Sequence, residues 1–178
     1  AKPSDDRNQD EQSVNGPVRQ MACDFLPRLN AGFIIRSATA EAVDQPNDHE
    51  KTDDDAKKLV SAVQGVGHVG EYLVEHLSKE GAQVFISDIH EDTLNKVAAK
   101  YKAKVVGLND IYSIDMDIYA PCALGATVND ETLAQLKCSI IAGAANNQLK
   151  DEQIHGEIVR DKGIMYIPDF MINAGGVI

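Results

Sequence analysis

Three glycines at a fixed spacing are the residues in this sequence best suited to binding chemistry. They form a complete G-x-G-x-x-G directly after a short valine-rich run and at the start of an amphipathic stretch. Gly65 permits a tight turn, Gly67 lets the backbone approach a pyrophosphate without a Cβ in the way, and Gly70 allows the following helix to pack close to the strand. The unpaired amides where that helix begins favour a dianionic pyrophosphate. The pattern therefore predicts a dinucleotide site that uses the whole loop: Gly65, Val66, Gly67, His68, Val69 and Gly70.

An acidic residue at the end of the next predicted strand supports this interpretation. Asp88 lies 18 residues after Gly70, at the end of a short apolar run. A carboxylate there can accept hydrogen bonds from the adenosine ribose hydroxyls and would repel a 2′-phosphate, so the predicted cofactor is NAD and not NADP. We place the neighbouring Ile89 in the same cofactor site. The alternative is that Asp88 is the N-cap of the helix predicted over Asp92–Tyr101.

Two side chains near these motifs have reactive groups, but neither is assigned a catalytic role. His68 occupies a variable position of the loop, and no partner that would orient it as an acid or base is evident in the sequence. Cys122 has no evident basic neighbour to lower its pKa, and an apolar filler is the alternative role. The sequence therefore offers no catalytic residue from its reactive side chains alone.

The elements that would position these residues alternate regularly from Leu59 onward. Six short apolar runs predict strands at Leu59–Gln64, Val84–Ser87, Lys104–Gly107, Met116–Tyr119, Ser139–Ala142 and Ile164–Ile167. Amphipathic segments between them predict helices at Val69–Glu80, Asp92–Tyr101, Asp130–Leu136 and Asp151–Lys162. This alternation indicates an α/β fold, a doubly wound and mostly parallel sheet of the Rossmann, dinucleotide-binding type, over residues 59–178.

Residues 1–58 differ from the rest of the chain, and we assign them no fold. Four prolines interrupt this segment, and its run DQPNDHEKTDDD at Asp44–Asp55 is typical of a solvated linker. The whole chain has 178 residues, of which 43% are apolar, which is enough for one sizeable core. We therefore expect one dinucleotide-binding domain behind an unassigned N-terminal segment.

Composition excludes several classes of partner and compartment. The net charge of −11 would repel polyphosphate backbones, so nucleic acid is not an expected partner. No apolar run approaches the roughly 18 residues of a membrane span, and no signal peptide is visible. The three cysteines (Cys23, Cys122 and Cys138) are odd in number and lack CxxC spacing, which suggests neither disulfides nor a metal site. A cytoplasmic location fits these features best.

Three segments after the last predicted strands are more particular than the fold requires. They read YAPCALG at Tyr119–Gly125, AGAANNQL at Ala142–Leu149 and PDFMINAGG at Pro168–Gly176. Each lies at the carboxyl end of a predicted strand, where ligands bind in open α/β sheets. Together with the glycine-rich turn, they resemble the NAD-binding domain of the glutamate, leucine, phenylalanine and valine dehydrogenases. They look most like the leucine-type branch of that family, and the resemblance covers about residues 59–178.

The resemblance implies roles for particular residues after the later strands. It places Cys122 and Ala123 along the dinucleotide crevice. It places Ala145 and Asn146 beside the nicotinamide ribose, and Asn173 near both the nicotinamide and the substrate. Amide side chains can orient a carboxamide or an amino acid without adding charge. For Asn146 the alternative is a tight turn after a strand.

The activity implied by the resemblance is NAD-dependent oxidative deamination of a branched-chain L-amino acid, leucine or valine, to its 2-oxo acid and ammonium. The family's two lysines, one catalytic and one for the substrate carboxylate, find no match in this chain, because Lys51, Lys57 and Lys58 stand in a charged linker. The alternatives are a catalytically silent NAD-binding module or fragment, and a phenylalanine- or glutamate-type enzyme. A Rossmann dehydrogenase for hydroxy acids is disfavoured by AANNQL and INAGG. For the full-length enzyme we expect a homo-oligomer.

Overall fold

The structure, a computed structural model, describes residues 58–173. The unassigned N-terminal segment with its linker at Asp44–Asp55 lies outside the described residues, as does the end of the INAGG motif. Among the described residues, no helix is long and apolar enough to cross a membrane.

Short strands and helices alternate along the described chain. The strands are β1 (Val60–Gln64), β2 (Gln83–Ser87), β3 (Lys104–Val105), β4 (Ile118–Pro121), β5 (Ile140–Ala142) and β6 (Met165–Ile167). The helices are α1 (His68–Lys79), α2 (Glu91–Tyr101), α3 (Asp130–Leu133), α4 (Glu152–Asp161) and α5 (Asp169–Ile172), and a 3-10 helix covers Asp110–Ser113.

All six strands pair in parallel in a single sheet with the order β3-β2-β1-β4-β5-β6. From β1 in the interior of the sheet the chain winds outward to β3, and it then crosses back to β4 on the other side of β1. The strand order therefore reverses between β1 and β4, which is where ligands bind in such sheets. The predicted doubly wound α/β fold of the Rossmann type is confirmed.

Two large clusters of buried side chains lie on opposite faces of the sheet, because neighbouring residues of a strand point in opposite directions. One cluster joins strand residues to α1 and α2, and it includes Val63, Ile86, Ala120, Val74, Leu77, Leu94 and Val97. The other joins strand residues to the 3-10 helix, α3 and α4, and it includes Ala62, Tyr119, Ile141, Ile111, Leu133 and Val159. Helices on both faces leave the loops at the carboxyl ends of the strands free to form a site.

The predicted elements differ from the observed ones mainly in the second half of the chain. The third strand was expected over Lys104–Gly107 but covers only Lys104–Val105, because Gly107 begins the turn into the 3-10 helix with its carbonyl accepting from the amide of Asp110 at 3.1 Å. The fourth strand starts at Ile118 instead of Met116, and α3 ends at Leu133 instead of Leu136. The 3-10 helix and α5 were not predicted, since both are only four residues long and too short for a helical period.

Candidate functional site

The glycine-rich turn leaves β1 with Gly65 in the left-handed region, at a φ of +92°. The Gly65 amide donates to the carbonyl of Ser87 at the end of β2, at 2.8 Å. A Cβ added at Gly65 would lie 2.6 Å from the Cβ of Ala123, in the loop after β4. Only glycine meets both conditions, since a side chain would be strained by the positive φ and would collide with the neighbouring loop.

Gly67 and Gly70 differ sharply in their surroundings. Helix α1 begins at His68 with Gly67 as its N-cap, and no side chain in the described part of the protein caps this end, as the fingerprint predicts. A Cβ at Gly67 would meet no atom of the described residues within 4 Å, whereas one at Gly70 would collide with the carbonyl oxygen of Gly65. Gly70 is therefore required by the close packing of α1 on the turn. Gly67 borders open space in front of uncapped amides, which is the surface that a pyrophosphate needs.

The carboxylate of Asp88 is hydrogen-bonded to the glycine-rich turn. One oxygen accepts from the amide of Val66 at 2.7 Å, and the other accepts from the amide of His90 at 2.8 Å. The N-cap of α2 is His90, so the alternative prediction of Asp88 as the cap of that helix is wrong. Each carboxylate oxygen has two lone pairs, so both oxygens keep one for a further donor such as a ribose hydroxyl.

The remaining loop residues contribute either backbone or exposed side chains. Val66 is fully buried, and its contribution is the amide that donates to Asp88. Val69 and Ile89 are apolar side chains that are exposed to 60% and 71%. His68 is exposed at the first position of α1.

The loop after β4 lies against the glycine-rich turn across the switch point. Its Cys122 amide donates to the carbonyl of Gln64 at 2.7 Å, and Ala123 touches Gly65 as described above. Burial raises the pKa of the Cys122 thiol, so the side chain is an uncharged filler at neutral pH. This arrangement agrees with the alternative that assigns Cys122 a packing role.

The loop after β5 is hydrogen-bonded to the end of β4, and its two asparagines have different structural roles. Ala145 is buried and donates its amide to the carbonyl of Pro121 at 2.9 Å. Asn147 adopts a left-handed φ of 50° and makes the tight turn, a conformation that asparagine tolerates well. Asn146 is exposed, and its side-chain oxygen accepts a hydrogen bond from Nδ2 of Asn173 at 3.2 Å.

Asn146 and Asn173, here called the amide pair, thus meet although 27 residues separate them. Asn173 follows α5 and also donates to the carbonyl of Ala144 at 3.3 Å. The glycine-rich turn, the loop after β4, the loop after β5 and the end of α5 therefore form one continuous row along the carboxyl edge of the sheet. Every predicted site residue lies on this row or on the loop after β2.

Sequence reasoning missed a hydrogen-bonded group beneath the glycine-rich turn. The Gln64 side chain donates to the hydroxyl of Tyr112 at 2.7 Å and accepts from that of Tyr119 at 2.6 Å. Gln64 is the last residue of β1, so this group fixes the strand end from which the turn departs. A polar residue that ends an apolar strand just before Gly65 was the available signal.

Asp169 was also missed as part of the site. It is the first residue of α5, and one of its carboxylate oxygens accepts from the amide of Asn147 at 3.1 Å. The signal in the sequence was a carboxylate two residues after a predicted strand, at the same edge as the other motifs.

The fold and the glycine-rich turn at its switch point define the described part of the chain as a dinucleotide-binding domain. The family described as Glutamate/Leucine/Phenylalanine/Valine dehydrogenase matches residues 86–178. The chain belongs to this family. Its members depend on NAD or NADP, so the prediction of a nicotinamide dinucleotide as cofactor is confirmed.

Individual relatives agree with the family assignment. Leucine dehydrogenase of Bacillus cereus is 52% identical over 125 residues, which are 70% of this chain and 34% of that protein. L-tryptophan dehydrogenase of Nostoc punctiforme is 50% identical over 117 residues, or 66% of this chain and 33% of that protein. A crystal structure of L-tryptophan dehydrogenase from Nostoc punctiforme matches with a TM-score of 0.66 at 48% identity, covering 67% of this chain and 36% of that one. The chain thus spans about a third of the length of these relatives.

Proposed function

We propose that this chain is the NAD-binding part of an enzyme that oxidatively deaminates leucine or valine to the corresponding 2-oxo acid and ammonium. The observation that carries the proposal is the row along the carboxyl edge, which places an uncapped helix N-terminus and an amide pair on one continuous surface. Residues 59–178 would form the cofactor domain, and residues 1–58 a separate segment. The identity to leucine dehydrogenase supports the branched-chain substrate.

The adenosine and pyrophosphate would be held by the glycine-rich turn and Asp88. The amides at the start of α1 donate to the phosphates, and Gly67 leaves room for them. Asp88 accepts from the ribose hydroxyls with the lone pairs that Val66 and His90 leave unused. Its negative charge disfavours a 2′-phosphate, which supports NAD over NADP.

The nicotinamide end would lie beside the loops after β4 and β5. Cys122, Ala123 and Ala145 present small side chains and backbone along the crevice, and the amide pair faces the carboxamide. Asn173 would also contact the amino acid. NAD, when bound, supplies the acceptor of the hydride, and the chain's own contribution is to orient the ring and the substrate.

An aromatic amino acid is the second candidate substrate. The 50% identity to an L-tryptophan dehydrogenase is close to that of the leucine enzyme. Selectivity between aliphatic and aromatic side chains depends on the shape of the substrate pocket, to which a cofactor domain contributes little. We expect the full-length enzyme to be a homo-oligomer.

Two measurements on the purified 178-residue chain test the proposal. We expect calorimetry to show NAD binding that is tighter than NADP binding. We expect leucine-dependent NADH formation far below about 1 s⁻¹, because deprotonation of the amine needs a base and the family's lysines have no match here. Absence of NAD binding would overturn the proposal. Turnover at enzyme-like rates would instead show that residues 1–58 contain the base.

A further inference from the structure

Helix α5 is attached to the loop after β5 at both of its ends. At its start, Oδ2 of Asp169 accepts from the amide of Asn147 at 3.1 Å. Just past its end, Nδ2 of Asn173 donates to the carbonyl of Ala144 at 3.3 Å and to the side chain of Asn146 at 3.2 Å. The short helix therefore holds the turn through a carboxylate on one side and an amide on the other.

The turn residue Asn147 is held through both its backbone amide and its backbone carbonyl. The Asn147 amide is held by Asp169, and its carbonyl accepts from the amide of Ala126 in the loop after β4 at 2.7 Å. Gly125 fits closely beneath, since a Cβ there would lie 2.5 Å from the carbonyl oxygen of Asn146. The Asn147 amide belongs to the peptide unit that follows Asn146, so the bond to Asp169 restrains the backbone that carries the Asn146 side chain.

The hydrogen bond between Asp169 and Asn147 lies outside the hydrophobic core. Helix α5 has no buried residue, and Asp169 itself is half-buried. A carboxylate that accepts from a backbone amide makes a charge-assisted bond, which is stronger than a neutral one. Loss of this bond would free the turn without opening a cavity.

We propose that Asp169 is a positioning residue for the nicotinamide end of the site: by holding the Asn147 amide, it orients Asn146 against Asn173. This inference rests on the proposed binding of NAD. It adds a residue that does not touch the cofactor but sets the geometry of the two side chains that would.

Comparison of NAD with ADP isolates this effect, because ADP has the same adenosine and two phosphates but neither the nicotinamide nor the ribose beside which Asn146 is placed. For Asp169→Ala we expect NAD and NADH to bind about three- to tenfold more weakly, the range for loss of one net hydrogen bond. We expect ADP affinity to change less than twofold and the melting temperature to stay within a few degrees. Asp169→Asn keeps the shape and loses the charge, so it should lie between the wild type and the alanine variant.

Asp161→Ala is the matched control, since Asp161 is an exposed residue of α4 whose loss makes the same change in net charge. It should leave all three affinities unchanged. A loss confined to NAD, with NADH unaffected, would overturn positioning in favour of direct attraction of the cationic ring by Asp169. Equal loss of ADP binding, or no loss of NAD binding, in both Asp169 variants would also overturn it while leaving the proposed function intact. A wild-type chain that binds neither NAD nor ADP would overturn both.

Discussion

Substitution of Gly67 by valine separates the cofactor role of the glycine-rich turn from its structural role. The backbone at Gly67 has a φ of −64°, which any L-residue adopts, and within residues 58–173 a Cβ there would meet no atom closer than 4 Å. The fold of the ligand-free chain therefore has no need for glycine at this position. At Gly70 the opposite holds, because a Cβ would collide with the carbonyl oxygen of Gly65.

The expected magnitudes follow from these surroundings. A branched side chain at Gly67 would keep the pyrophosphate away from the amides of α1 and remove one or two charge-assisted hydrogen bonds. At about 1.5–3 kcal/mol each, this predicts a loss of NAD affinity on the order of 100-fold. Valine is a poorer N-cap than glycine, but it lowers the entropy of the unfolded chain, so the net change in unfolding free energy should stay within about 1 kcal/mol.

Calorimetric titration with NAD and thermal unfolding without ligand measure the two effects independently. For Gly67→Val we expect weak NAD binding and a melting temperature within about 4 °C of the wild type. Gly70→Val serves as the control, and it should lower the melting temperature of the ligand-free chain strongly. The reasoning would be refuted if Gly67→Val destabilised the ligand-free chain as much as Gly70→Val, or if it retained wild-type NAD affinity.

Three further perturbations test other parts of the site and its support. Asp88→Ala should weaken NAD binding by about 1–3 kcal/mol and NADP binding by less. It also leaves the amide of Val66 unpaired, which should lower the unfolding free energy by about 1 kcal/mol. An unchanged ratio of the two affinities in calorimetry would contradict the role of Asp88 in binding the adenosine ribose. Tyr119→Phe removes the donor to Gln64 from a buried position and should cost about 1–2 kcal/mol in urea unfolding, and an unchanged midpoint would show that this bond is not stabilising. Burial raises the pKa of the Cys138 thiol to about 11. Its alkylation, measured by peptide mass spectrometry, should therefore be slow at pH 7 and accelerate as the pH approaches that value. A rate at pH 7 equal to that of a free thiol would show that the thiol is not buried.

Local patterns were sufficient to predict the fold class and most elements. The period of the apolar residues identifies α1 and α2 to within one residue at either end, because these helices are long enough to show an amphipathic face. The same reasoning fails for α5 and for the 3-10 helix at Asp110–Ser113, each of which is a single turn stabilised by its neighbours. Strand β3 is also shorter than its apolar run predicts. It pairs only with β2 at the edge of the sheet, and the turn at Gly107 follows it.

The sequence by itself was sufficient to identify the glycine-rich turn, the carboxylate after the second strand and the motifs that follow the later strands. These features depend on neighbours along the chain, and the turn at Gly65 can be recognised from its residue types alone. Only the tertiary structure decided that Ala123 lies against Gly65, that Asn146 meets Asn173, and that Asp169 holds Asn147. These contacts join residues 22 or more positions apart, and they exist because parallel pairing brings the carboxyl ends of separate strands to one edge of the sheet. Spacing along a chain carries no information on such distances until the strand order is known.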